Sequence, residues 1–134
     1  PSAKRGHFIM KHTTRLIDYV HHIQKYSEEA LSFINGMSQA DFFNDRKTQQ
    51  ATTLNIITLG EISTLLKTDF PEFIDATPET PWRNIVGMRH RLVHGYNEVS
   101  TKIVWDTLTN FIPILIKQIP DLLKVAKQLG KTDT

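Results

Sequence analysis

The sequence predicts an all-α fold, a bundle of four to five helices. Three observations carry this. Apolar residues recur at three- and four-residue spacing through four separate stretches. No stretch alternates with the period of two that a half-buried strand needs. No internal repeat or low-complexity tract interrupts the pattern. At 134 residues the chain is read as one domain, since domains commonly run to about 100–200 residues.

From Thr13, the residues Leu16, Val20, Ile23, Ala30 and Ile34 share one helical face, flanked by a row of Tyr19, Tyr26 and Phe33 that is read as core. This first helix ends near Asn35-Gly36. "MSQADFFND" gives Ser38 as a cap for a short amphipathic turn. A second long helix spans 49–67 and carries Leu54, Ile57, Leu59, Ile62, Leu65 and Leu66. "TDFPEFIDATPETP" holds three of the six prolines and reads as a connecting loop with one irregular turn. Thr80 as N-cap and Pro81 at the first helical position open a third helix, with Trp82, Ile85, Val86, Leu92 and Val93 on its apolar stripe and Gly95 to stop it. Ser100 caps a last helix in which Val104, Leu108, Phe111, Leu115, Ile119, Leu122, Ala126 and Leu129 keep their spacing through Pro113 and Pro120. Bends, not breaks, are expected at those prolines. Residues 1–9 have no apolar core of the about 7–15 residues that a secretory signal needs, and are read as a non-native or disordered leader. Residues 10–130 then form the single helical domain and 131–134 a tail.

Composition narrows the function. Hydrophobic residues make up 40% of the chain, and no apolar run nears the roughly 20 residues that cross a bilayer, so no membrane role is expected. With no cysteine, disulfides, thiol catalysis and sulfur-built zinc sites are excluded, and the cytoplasm is the default location. The formal net charge of +2 is too small to announce a nucleic-acid binder, so such a role would rest on local clustering.

That clustering occurs in "MRHRLVHGYNE", Met88 to Glu98, where Arg89, His90, Arg91 and His94 precede a glycine and a tyrosine. Arg89 lies four after Ile85 and three before Leu92, in the middle of the apolar stripe. An unpaired buried guanidinium is too costly to persist, so Arg89 must meet a carboxylate, water in a cleft, or an anionic ligand. The matching anomaly is Glu61, an acid within "LGEISTLL" of the second helix. The two are read either as a purely structural ion pair or as a pair in which Glu61 orients a functional Arg89. His90 and His94 share a face with Arg83 and Gly87. An HxxxH pair can hold zinc, but Arg91 stands where the metalloprotease signature has its glutamate, so no metal is assigned.

Arginine and histidine together supply what transesterification of RNA requires: a planar fork of donors for a phosphate, and an imidazole that takes or gives a proton near neutral pH. About 140° of helical rotation separates positions 89 and 94, at about 100° per residue. One straight helix would not present both squarely. Arg89 reaches round, or the helix end unwinds at Gly95, or a two-fold partner brings its own copy opposite.

"RHRLVHGY", which is Arg89-x4-His94-x-Tyr96, resembles the Arg-x4-His-x-Tyr signature of HepT-like toxins of the HEPN superfamily, in which a polar residue such as His90 often follows the arginine. "LGEISTLL" is similar to that family's Gly-Glu helix, "PWRNIVGM" to its Pro-Trp lead-in, and "VSTKIVWDTL" to its entry to the last helix, so the likeness runs in order over most of Met10 to Leu123. The resemblance implies a HEPN-like bundle forming a homodimer, and a metal-independent endoribonuclease with no cofactor and with Arg89 and His94 in its cleft. It also implies a toxin–antitoxin partner, an MNT-domain nucleotidyltransferase that silences the toxin by adding AMP to Tyr96. The phosphate would then sit beside Arg89 and His94, where an RNA phosphate belongs. Without the family, Tyr96 reads as a ring closing the bundle end with a wet hydroxyl. The alternative function is a non-catalytic helical module that binds nucleotide or assists a partner nucleotidyltransferase, with Arg89 as an anion clamp. The lysines Lys117, Lys124, Lys127 and Lys131 are read as a solvated side of the last helix.

Overall fold

The computed structural model describes residues 2–95 and 100–132, with side chains at 15–95 and 100–130. The described residues form helices α1 (Ser2–Phe33), α2 (Gln39–Phe43), α3 (Arg46–Asp69), α4 (Pro71–Ala76), α5 (Trp82–His94), α6 (Thr101–Asp106) and α7 (Ile112–Thr132), with a π-helical turn at Thr107–Phe111 joining the last two. No strand occurs among them. The fold is the all-α bundle that the spacing predicts.

Local chemistry explains the boundaries. Ser38 and Asp41 form a reciprocal capping box, with the Asp41 backbone N–H donating to Ser38 Oγ at 3.1 Å and the Ser38 N–H to Asp41 Oδ2 at 3.0 Å. Gly36 takes the left-handed φ of 77° in the turn before it, which a side chain would disfavour. Asp45 caps α3 by accepting from the Thr48 N–H at 3.0 Å and the Thr48 hydroxyl at 2.6 Å, which moves the helix start ahead of the expected residue 49.

Four expectations need correction. α1 begins at Ser2, not near Thr13; once a helix is nucleated, extending it adds a bond per residue fixed. The stretch read as a loop contains α4, opened by Pro71 at the first helical position and held by Phe73, which is fully buried. Thr80 does not cap α5. Pro81 occupies that place without a side-chain cap, and the Thr80 hydroxyl donates instead to Gln118 Oε1 of α7 at 3.0 Å. The Tyr19–Tyr26–Phe33 row is only partly core: Tyr19 packs edge-on against Phe70 at 6.2 Å between centroids, whereas Phe33 is exposed.

At Pro113 the last helix continues without breaking, and the device is specific. Proline cannot donate to the carbonyl four residues back and its ring crowds that carbonyl, so the helix widens just before it. The Ile112 N–H accordingly reaches Thr107 O, five residues back. Pro120 lies within α7, which continues past it.

The order of packing is α5 on α3, α3 on α1, and α1 on α7, with α4 bridging α3 and α7. Val20, Ile23 and Ala30 of α1 meet Ile56, Leu59 and Leu66 of α3 and Leu108, Ile112, Leu115 and Leu122 of the last helices in one core. Buried polar groups are tied across it. The Asn55 amide donates to Tyr26 O at 3.2 Å and Glu29 Oε1 at 3.1 Å, fixing α3 on α1. The Trp82 indole N–H donates to Thr77 Oγ1 at 3.0 Å, which pins the start of α5 against the α4 segment. No helix among the described residues is long and apolar enough to cross a membrane.

Candidate active site

The site is built on α5 where it crosses α3. Arg89 projects from α5 over Gly60 of α3, and the crossing is close because Gly60 has no side chain. A Cβ there would overlap the Arg89 Cβ and lie 2.8 Å from its Cγ and 3.2 Å from Ile85 O. Glycine in the middle of a 24-residue helix is otherwise unfavourable by about 1 kcal/mol relative to alanine, so its place here is one of contact. Reading "LGEISTLL" for its acid alone passes over this residue; the signal was a glycine inside an otherwise strongly periodic run.

Arg89 Nη2 lies 3.5 Å from Glu61 Oε1. The anomalous cation and the anomalous acid thus face each other across the helix crossing. The pair is less buried than the apolar spacing suggested, because the side chains keep 31% and 56% of their exposure, Glu61 being on the outward side of α3. An ion pair this wet contributes little to stability, about 0.2–1 kcal/mol. Arg89 Nε is buried and has no hydrogen-bond partner among the described residues.

The surroundings of the pair are apolar and open. Leu54 and Leu65, on the side of α3 that carries Glu61, are 62% and 44% exposed, and Val93, one turn after Arg89, is 39% exposed. All three were expected on buried stripes. In this chain the stripe is wider than the core, and its outer edge faces solvent on both sides of the ion pair.

His90 and His94 are both exposed, one turn apart, with ring centroids 4.6 Å apart and planes inclined by 47°. α5 stays helical through His94, and Gly95 ends it with its N–H on Arg91 O at 2.8 Å. Arg89 and His94 therefore remain about 140° apart around the helix axis, as the spacing requires. Of the three ways of joining them, unwinding before His94 does not occur. No group of three or more His, Cys, Asp or Glu side chains among the described residues is placed to share a metal ion. Tyr96 lies outside the described residues.

The other flank of α5 opens on a cleft of about 560 Å³ between α5, α3 and the π-helical turn. Arg83, Asn84, Gly87, Met88 and Arg91 form one wall, Ile56 and Leu59 the floor, and Thr107 and Phe111 the opposite wall. Helical spacing by itself puts Arg83 and Gly87 beside the histidines without giving them a part.

Residues 23–122 match the family model described as "Ribonuclease HepT-like", a span that contains α5 and the helix α3 on which it packs. The chain belongs to the HepT-like family of the HEPN superfamily. Among curated relatives, this HepT-like chain is 30% identical over 106 residues to "Putative RNase MJ0127" of Methanocaldococcus jannaschii, covering 79% of this chain and 85% of that one. It is 33% identical over 110 residues to "Putative RNase TTE0752" of Caldanaerobacter subterraneus, covering 81% and 95%. It is also 33% identical over 107 residues to "Probable ribonuclease HepT" of Thermococcus cleftensis, covering 80% and 94%. No solved structure matches the HepT-like chain.

Proposed function

We propose that this chain is an endoribonuclease toxin that cuts RNA by metal-independent transesterification, with Arg89 and His94 as its catalytic residues. The observation that carries the reading is Arg89 itself. It is a guanidinium set over Gly60, steered by Glu61, with an unmet Nε donor, at the centre of an exposed apolar face. An arginine so held is preorganised to meet a phosphate with its fork of donors. Its partners at the helix crossing absorb part of the ordering cost before substrate arrives.

In the reaction, the ribose 2′-oxygen attacks the adjacent phosphorus while the bond from phosphorus to the 5′-oxygen breaks. The 2′-hydroxyl proton leaves to a base and the 5′-oxygen gains one, giving a 2′,3′-cyclic phosphate and a 5′-hydroxyl. His94 is the proton-transfer group, and His90, whose ring lies tilted against it, supports its position. Arg89 stabilises the added charge on the pentavalent phosphorus. Because Arg89 and His94 of one chain diverge around α5, and the Arg89 guanidinium is turned to Glu61 rather than round to His94, the reading joins them through a two-fold homodimer. The apolar rim of Leu54, Leu65 and Val93 is the surface that a second copy would cover, bringing its histidines opposite this arginine.

Control falls to an MNT-domain nucleotidyltransferase antitoxin. The Tyr96 oxygen attacks the α-phosphorus of ATP and pyrophosphate leaves, which puts a phosphate and an adenosine two residues from His94. The support for this step is the position of Tyr96 in the motif and the cationic surroundings that would hold the new phosphate.

The test is RNA cleavage in EDTA by protein whose mass shows no added AMP, beside Arg89→Ala and His94→Ala. Cleavage by the wild type alone, leaving 2′,3′-cyclic phosphate ends, supports the reading. Absence of cleavage by dimeric, AMP-free protein across several RNAs refutes it and favours the non-catalytic nucleotide-binding module.

A further inference from the structure

The cleft on the flank of α5 away from Arg89 is not used by the chemistry above, and its lining is specific. Its floor is apolar, its mouth is cationic, and none of its lining residues is acidic. Arg83 and Arg91 are exposed and have no carboxylate partner among the described residues. Arg91 Nη2 lies 3.9 Å from Met88 Sδ, which lays the guanidinium along the opening. The opposite wall is the π-helical turn, a feature frequent at functional sites, and its widening ends at Phe111, half-buried against the cleft. Between the two arginines the rim is bare, because a Cβ on Gly87 would meet nothing within 4 Å. The volume of about 560 Å³ falls within the range of about 300–1,000 Å³ typical of small-molecule sites.

The cleft is also adjacent to the histidine row. Positions 83, 87, 90 and 94 fall within about 60° of one another around α5, with 91 a further step of about 40° on. A strand whose phosphate rests at His94 can therefore run along α5 over the Arg83–Gly87–Arg91 rim.

We propose that this cleft is a base subsite, taking one unstacked nucleobase of the bound RNA against Phe111 and Met88 while Arg83 and Arg91 hold the flanking phosphates. An apolar slot with an aromatic wall fits the face of a base, the Asn84 amide and Thr107 hydroxyl offer hydrogen bonds to its edge, and paired arginines fit the backbone beside it. The site sets which nucleotide lies next to the scissile bond. It rests on the ribonuclease reading for its substrate, but its test does not depend on cleavage.

The test uses a short RNA with every 2′-hydroxyl methylated, so that it binds without being cut, and a set of the same strand carrying one abasic position at each place in turn. Affinities are read by fluorescence anisotropy with the wild type, Gly87→Phe and Arg83→Ala, and with Lys124→Ala on α7 as a control for loss of one exposed charge. In the wild type, one abasic position is expected to weaken binding about tenfold, the size of a single base-stacking contact. Gly87→Phe, whose Cβ meets nothing within 4 Å and whose ring would occupy the mouth of the cleft, is expected to fold normally by thermal unfolding and to abolish that positional penalty. Arg83→Ala weakens binding to all strands more than Lys124→Ala does. A flat abasic profile in the wild type, a penalty unchanged in Gly87→Phe, or no RNA binding overturns the subsite. So does a change of molar mass in Gly87→Phe with RNA binding intact, which would make the cleft a subunit interface. Cleavage that persists without a base penalty removes the subsite alone, whereas a base penalty without cleavage of unmethylated RNA by the protein removes the ribonuclease reading alone.

Discussion

Gly60→Ala tests the central geometric claim, that Arg89 is placed by the close approach of α5 to a bare position on α3. Two effects oppose each other. Replacing a glycine in a helix interior by alanine stabilises by about 1 kcal/mol through helix propensity. Against this, the added Cβ overlaps the Arg89 Cβ and sits 2.8 Å from its Cγ and 3.2 Å from Ile85 O. The overlapped Cβ is fixed to the α5 backbone, and Ile85 O belongs to that backbone, so neither can swing away; the helices must part. Overpacking of this kind costs typically about 1–3 kcal/mol, so the net change lies between about neutral and 2 kcal/mol destabilising. Gly87→Ala supplies the reference, because its Cβ meets open space and only the propensity gain of about 1 kcal/mol remains. Urea unfolding of both variants should therefore place Gly60→Ala about 1–3 kcal/mol below Gly87→Ala. Cleavage by Gly60→Ala should fall with it, because the parted helices carry Arg89 away from Glu61. If Gly60→Ala were as stabilising as Gly87→Ala and cleaved RNA at the wild-type rate, the account of how Arg89 is positioned would be wrong.

Other outcomes follow from the same structure. Arg89→Lys keeps the charge but loses the planar fork, and should cut RNA at least tenfold more slowly with an unchanged urea midpoint. Glu61→Gln should lower stability by no more than about 1 kcal/mol, given the exposure of the pair, while reducing cleavage more than that loss explains; no change in either would reject a role for the pairing. Thr77→Val leaves the buried Trp82 N–H without its acceptor and should cost about 1–3 kcal/mol in urea unfolding at an unchanged m-value. The Thr48 hydroxyl, and then the Thr48 N–H, hold the Asp45 carboxyl below its ordinary value of 3.8. A carboxyl depressed in the folded state stabilises in full above its unfolded pKa and ceases to do so as pH falls through the folded one. The stability gap between wild type and Asp45→Ala should thus be constant near neutrality and close in acid.

Much of the backbone was legible because its causes are local. The capping chemistry at Ser38 and Ser100, the stop at Gly95 and the survival of the last helix through its prolines each depend on a few neighbouring residues. The start of α5 was misread for the opposite reason. Thr80 is a good cap in isolation, but its hydroxyl is claimed by Gln118, 38 residues away in the chain. α4 was missed because three prolines in one stretch resemble a loop, and only the burial of Phe73 and Phe70 makes its single turn worthwhile.

The candidate site divides along the same line. From spacing alone it follows that Arg89 and His94 diverge around one helix, that Arg83, Gly87, His90 and His94 share a row, and that a cation stands within an apolar stripe, since the helical period sets which side chains lie together. The period does not say which side meets another helix. The Gly60 slot, the outward turn of Glu61, the exposure of Leu54, Leu65 and Val93, and the cleft against Phe111 all arise where α5 packs on α3 and falls short of the π-helical turn. Those are contacts between residues far apart in the chain, chosen by the closest fit of whole surfaces, and no local pattern encodes them.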